Sequence, residues 1–158
     1  HSQLRQRRIG NDNSMWSDTL LAAERTHLIQ LILWAATSVV LGTSIVAVLT
    51  ARRTLAPIIH WFAVVSLASG LVQLAIALVR WQSLAMRDVS LATRLDRLTW
   101  FNAGLDVGII AAGLAIVLFA WRSGRRLGMV GAGLGALVQG LGLLVINLTF
   151  ASMLSRLV

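Results

Sequence analysis

The stretch TWFNAGLDVGIIAAG, residues 99–113, decides the fold because it is long and apolar and contains a single ionisable side chain, Asp106. The apolar run continues to residue 121, which is long enough for a helix to cross a bilayer. An ionisable group at this depth is costly and normally faces protein or water, with a partner. The stretch therefore predicts a membrane-spanning helix that carries one polar site.

The composition of the whole chain agrees with a membrane protein. Hydrophobic residues make up 57% of the 158 residues and charged residues only 13%, which is outside the range of soluble domains. The formal net charge is +8, but the arginines lie between apolar runs, as in membrane-flanking loops, and we expect no nucleic-acid partner. The chain contains no Lys and no Cys, which excludes Schiff-base and P-loop lysines, thiolate nucleophiles and disulfides.

Four apolar runs predict an all-α fold, a four-helix transmembrane bundle. The predicted spans are residues 27–50, 57–79, 99–121 and 127–151, and five of the six tryptophans fall near their ends, as in an aromatic belt. Residues 1–16 are predicted to form a polar, basic arm, and residues 17–158 a single membrane domain. Residues 80–98 predict a short, basic interfacial helix or helical extensions of the neighbouring spans.

Two short turns carry arginines and no acidic residue, and they join spans one and two and spans three and four. Their arginines are candidates for contact with lipid headgroups or acidic partner surfaces: Arg52, Arg53, Arg122, Arg125 and Arg126. Such turns favour the cytoplasmic side of a bacterial inner membrane, and the start at His1 is typical of a processed chain. We therefore expect a multi-pass protein with both termini on the periplasmic side.

Counting depth from the side of the termini predicts an intramembrane polar cluster around Asp106. Its expected members carry amides at or near the same level: Asn102, Gln73, Gln30 and Asn147. Three interpretations remain open for this cluster. It is a structural knot in which a neutral Asp106 ties helices together, a ligand or proton site, or a contact to another subunit.

Small residues at four-residue spacing predict close helix packing on two spans. On span three they are Gly104, Gly108 and Ala112, and on span four they are Gly128, Ala132, Ala136 and Gly140. Side chains for catalysis are scarce by comparison. His60 lies near the opposite end of span two from the level of Asp106, and no spacing indicates a metal site. We expect no catalytic residue, no metal and no cofactor, and hence no enzyme.

The stretch from Trp100 to Gly113 resembles an asparagine, glycine-leucine-aspartate, glycine pattern of a family of uncharacterised bacterial four-span membrane proteins. The glycine-rich last span with its internal Gln139 is similar as well. The resemblance covers mainly the second half of the chain. It implies a helical membrane domain and singles out Asn102, Gly104, Asp106, Gly108 and Gln139, but it implies no activity. An aromatic residue is usual in this pattern where the present chain has Ile109.

The leading functional expectation is a non-enzymatic accessory subunit that packs against other membrane subunits of a respiratory or photosynthetic type of complex and contacts anionic lipids. Two alternatives come from other classes of protein. One is a small transporter or proton-linked carrier that uses Asp106 as its titrating group. The other is a protein that binds a lipid or a hydrophobic cofactor between helices, near Trp34 and Asp106.

Overall fold

A computed structural model contains four helices, each with a stretch that is long and apolar enough to cross a membrane. It describes the backbone of residues 2–82 and 89–155 and the side chains of residues 18–82 and 97–155. The helices are α1 (Ser2–Ala51), α2 (Pro57–Gln82), α3 (Val89–Arg122) and α4 (Leu127–Leu154). The described residues form no strand, which confirms the predicted all-α transmembrane bundle.

The tight turns form where the sequence breaks helical geometry. Pro57 is the first residue of α2, where its missing N–H costs no hydrogen bond. Between α3 and α4, Gly124 has a φ of 80° and Arg125 a φ of 53°, so the chain reverses through left-handed conformations. Arg53 has a φ of 49° in the first turn. Both basic turns lie at the same end of the bundle because the helices alternate in direction.

α1 begins earlier than the sequence predicts, and α3 forms one of the two alternatives predicted for residues 80–98. α1 begins at Ser2, so the backbone of the predicted arm, residues 1–16, is helical from its second residue instead of starting near Ser17. α3 begins at Val89, so the predicted interfacial segment contributes a helical extension of span three, and residues 83–88 lie outside the described part. Neither segment contains a proline to end a helix, and polarity alone does not end one.

α4 is the central helix of the bundle. It contacts α1, α2 and α3, whereas α3 packs on α4 alone among the described helices. α1 and α2 form one hairpin and α3 and α4 the other, and α2 and α3 do not come into backbone proximity. The arrangement leaves a cleft between α2 and α3, with α4 behind it.

Glycines permit the close approaches within and between the hairpins. A Cβ added at Gly133 of α4 would lie 2.7 Å from the carbonyl oxygen of Gly113 in α3. In the other hairpin, a Cβ at Gly70 of α2 would lie 2.9 Å from the carbonyl oxygen of Ala35. These distances are too short for any side chain, so the helix backbones meet directly at both points.

The predicted small-residue contacts of span four lie at or near helix contacts. Gly128 faces the Trp61 ring of α2, and Gly140 faces Ile110 of α3. Ala132 and Ala136 between them are half-buried.

The predicted ridge on span three does not pack inside the bundle. Gly104, Gly108 and Ala112 are exposed, and a Cβ at either glycine would meet nothing within 4 Å. The buried side of α3 is the one that carries Asp106 and Gly113, and the ridge lies on another side of the same helix. Among the described residues, no helix of this chain packs on the predicted ridge of span three.

Candidate functional site

Asp106 and Asn147 form a buried pair between α3 and α4. Nδ2 of Asn147 donates a hydrogen bond to Oδ2 of Asp106 over 2.6 Å, and the two residues are 4% and 5% exposed. The backbones of α3 and α4 can approach here because Gly140, two helical turns before Asn147, lies against the backbone carbonyl of Asp106. The pair provides the partner that a carboxyl group needs at this depth.

The other predicted members of the cluster lie in three different situations. Asn102 is half-buried and lines the α2–α3 cleft together with Asp106 and Asn147. Gln73 lines the opposite wall of the same cleft. Gln30 is exposed in a separate groove between α1 and α4, so the prediction that it joins the Asp106 cluster is wrong. Depth along the chain predicts the level of a residue, but it does not predict which side of its helix faces inward.

The α2–α3 cleft has a volume of about 480 Å³ and is open on one side. Its walls are α2 and α3, and α1 and α4 contribute Leu31, Leu143 and Asn147. Toward the end of the bundle that holds the termini, the lining is polar and includes Arg80 and Asn102. Toward the basic turns it consists of Ala68, Val72, Ile109 and one hydroxyl residue, Ser69. The cleft is therefore more polar at the end of the termini and mainly apolar toward the basic turns.

A second polar cluster surrounds Gln139, which is 4% exposed on α4. Its Oε1 accepts hydrogen bonds from Nε1 of Trp34 over 3.1 Å and from Nε2 of Gln73 over 3.4 Å. Its Nε2 donates to Oγ of Ser38 over 3.0 Å. One amide thus connects α4 to both α1 and α2.

The family resemblance singled out Gln139 but gave it no partner, and Ser38 was missed. A signal was present, because Ser38 lies four residues after the one deep tryptophan, Trp34, and therefore on the same helix face. The Trp34 ring also covers Gly142, where a Cβ would overlap it.

Gln73 has one polar atom that the bundle does not satisfy. Its Nε2 is used by Gln139, whereas its Oε1 is buried and has no hydrogen-bond partner. Buried acceptors are normally paired, and an unpaired one costs about 1–3 kcal/mol.

The five arginines predicted to contact headgroups or partners are all exposed at the basic-turn end. The guanidinium of Arg125 lies 5.1 Å from the centroid of the Trp121 ring. Arg126 lines a shallow groove with Pro57 and Trp61, so the two turns lie beside each other. Together they form a basic surface bordered by tryptophan, which suits the headgroup region of a bilayer.

The opposite end contains buried polar groups that the sequence did not indicate. Glu24 is 2% exposed and lies on α1 three residues before the predicted first span. His27 is buried and stacks on the Phe150 ring, with centroids 4.2 Å apart. An acid in the first polar turns before a span is usually solvated, which is why its burial was missed.

The chemistry available in these sites is binding and packing. In the described part of the chain, no three His, Asp or Glu side chains come together in a way that could hold a metal ion. The polar groups that line the cleft and surround Gln139 are mainly amides and hydroxyls, with the Asp106 carboxyl, the Trp34 indole and the Arg80 guanidinium, and all of these groups can form hydrogen bonds.

Comparison with known proteins gives one match. The model of a family described as Family of unknown function (DUF6992) matches residues 30–148, which include both polar clusters and the α2–α3 cleft. No curated protein and no solved structure matches the chain.

Proposed function

The chain belongs to this family of unknown function, which supplies no activity, and we propose that it is a non-enzymatic subunit of a larger complex in a bacterial inner membrane. The observation that supports this role is the exposed small-residue face of α3. Gly104, Gly108 and Ala112 lie on it, and Ala111 and Ala115 are exposed beside them. A surface of this kind lets a second helix approach closely.

The rest of the bundle shows how this chain uses small residues. At Gly113 with Gly133, and at Gly70 with Ala35, they lie where two backbones meet. At Gly104 and Gly108 nothing within the chain occupies the space. The occupant that fits is a transmembrane helix of another subunit, because apolar helices associate in lipid through such close backbone approach.

The basic turns support the same role from the membrane surface. Arg52 and Arg53 in one turn and Arg122, Arg125 and Arg126 in the other are exposed, and Arg125 lies over the Trp121 ring. We propose that they contact anionic headgroups or an acidic surface of the partner on the cytoplasmic side, which leaves the termini in the periplasm.

The test is purification from the native membrane in a mild detergent, followed by native electrophoresis and identification of the proteins that migrate with the chain. We expect one set of membrane partners that is lost in the double variant Gly104→Leu/Gly108→Leu. Ala75→Leu is the matched control, because Ala75 is exposed on α2 away from both the ridge and the cleft. A wild-type chain that migrates alone, or only with copies of itself, would contradict the proposal.

The carrier alternative depends on Asp106 at the cleft. The observation that favours this alternative is that the carboxyl lines a cleft that is open on one side. It requires the carboxyl to exchange protons, whereas the structural alternative requires it only to hold Asn147. Measurement of flux separates the two.

A further inference from the structure

We propose that the α2–α3 cleft binds one neutral amphipathic lipid, with a hydroxyl-bearing head at the Asp106 level and a hydrocarbon chain toward the basic turns. This site goes beyond the proposed subunit role, since it lies between α2 and α3 and does not use the exposed α3 ridge. Three features of the cleft support it: its size and exposure, its polarity gradient, and a lining amide without a hydrogen bond.

The first feature is the cleft itself. Its volume of about 480 Å³ lies within the range of small-molecule sites, about 300–1,000 Å³. It is open between α2 and α3, which do not contact each other, so a molecule dissolved in the bilayer can enter sideways. The hydrocarbon chain would lie along Ala68, Val72 and Ile109, on the basic-turn side of Asp106.

The second feature is the distribution of polar groups. Asn102, Asp106 and Asn147 lie toward the end of the termini, and the lining becomes mainly apolar toward Ala68 and Ile109. A molecule with a polar head and an apolar tail matches this gradient in only one direction. The tail then occupies the hydrocarbon depth of the bundle, and the head lies among amides.

The third feature is the hydrogen-bonding pattern. The Asn102 side chain lines the cleft and makes no hydrogen bond within the described part of the bundle, and the Asp106–Asn147 pair lies beside it. A hydroxyl can donate to an oxygen on one side and accept from an amide on the other. An acid, Asp106, and a base, Arg80, both line the cleft, so neither an anionic nor a cationic head is matched on all sides. The chemistry favours an uncharged, hydroxylated head.

The experiment uses the full chain in nanodiscs and a monoacylglycerol with a photoactivatable diazirine in its acyl chain. After irradiation, mass spectrometry of peptides locates the label. We expect labelling to concentrate on the cleft-lining parts of α2 and α3, residues 68–80 and 102–109, and to be competed by unlabelled monoacylglycerol. Equal competition by anionic phosphatidylglycerol would overturn the assignment of a neutral head.

Two tryptophan variants separate site binding from general contact with lipid. Ile76→Trp fills the middle of the cleft, and we expect it to lose most of the labelling there. Leu71→Trp adds the same ring to an exposed position of α2 outside the cleft, and we expect it to label as the wild type does. Both positions are exposed, so the fold tolerates the ring. Labelling spread over all four helices, or unaffected by Ile76→Trp, would overturn the proposal.

Discussion

Asn147 donates a hydrogen bond to Asp106 over 2.6 Å, and this bond joins α4 to the one carboxyl group in the middle of a span. The pair lies on the inner wall of the cleft, where both residues are nearly inaccessible to solvent. An acid in this position is stabilised by its amide partner. The glycine ridge of α3 lies on another side of the same helix and is exposed.

Removing the amide from this pair is expected to destabilise the bundle. Asn147→Leu leaves a buried carboxyl without its donor, and we expect a loss of about 1–3 kcal/mol in the free energy of unfolding. Asn102→Leu is the matched control, because Asn102 is half-buried in the same cleft and the structure gives its side chain no hydrogen bond. Thermal unfolding in detergent measures both variants. Equal melting temperatures for the two would contradict a structural role for the pair.

Substitution of Gln139 is expected to destabilise the bundle more than substitution in the Asp106–Asn147 pair. Gln139→Leu removes the partner of Trp34, Ser38 and Gln73 at once, and we expect a loss of at least about 1–3 kcal/mol. Gln30→Leu makes the same chemical change at an exposed side chain outside this cluster. Denaturation in mixed detergent micelles compares the two. If Gln30→Leu costs as much as Gln139→Leu, the hydrogen bonds do not hold the helices together.

The sequence predicts the four spans because each span is determined by the residues within it and at its ends. Apolar runs of sufficient length and arginine at their ends determine where each helix crosses the membrane, and the bundle follows from them. The level of Asp106 and Asn147 is predicted equally well, since antiparallel helices share depth.

Rotation of each helix about its axis was not predictable in the same way. Every face of a membrane helix is apolar, so periodicity carries little information about which face is inward. Gln30 and Gln73 have similar depth, yet only Gln73 reaches Gln139. The glycines show the same difficulty, because Gly108 and Gly113 are both small residues of one span and only Gly113 meets another helix.

Alanine substitutions at glycines test these rotations directly. A Cβ at Gly113 would lie 2.9 Å from the Gly133 carbonyl oxygen, so Gly113→Ala forces α3 and α4 apart and should cost about 1–3 kcal/mol. Gly104→Ala meets nothing within 4 Å and should be neutral or stabilising by up to about 1 kcal/mol, because alanine favours helix. The melting temperatures of the two isolated variants, each compared with that of the wild type, test both expectations. A costly Gly104→Ala in the isolated chain would mean that the ridge packs within the bundle after all.

The orientation in the membrane can be measured because the chain contains no cysteine. Ser123→Cys places a thiol in the second basic turn, and Ser155→Cys places one at the end of α4. With the arginine-rich turns in the cytoplasm, a membrane-impermeant maleimide should label Ser155→Cys on intact spheroplasts and Ser123→Cys only after permeabilisation. The cysteine-free wild type is the blank. The reverse pattern would place the termini in the cytoplasm.

Asp106→Asn separates the subunit role from the carrier alternative. Asn keeps the shape and polarity of the side chain but cannot titrate, so a proton-linked carrier would lose its flux while a structural residue would not. Toward the basic turns the cleft is lined by Ala68, Ser69, Val72 and Ile109, and none of these side chains carries a group that titrates near neutral pH. In proteoliposomes with an internal pH indicator, we expect wild type and Asp106→Asn to show the same leak as liposomes without protein. A proton flux in the wild type that Asp106→Asn abolishes, with the melting temperature retained, would replace the subunit proposal by the carrier.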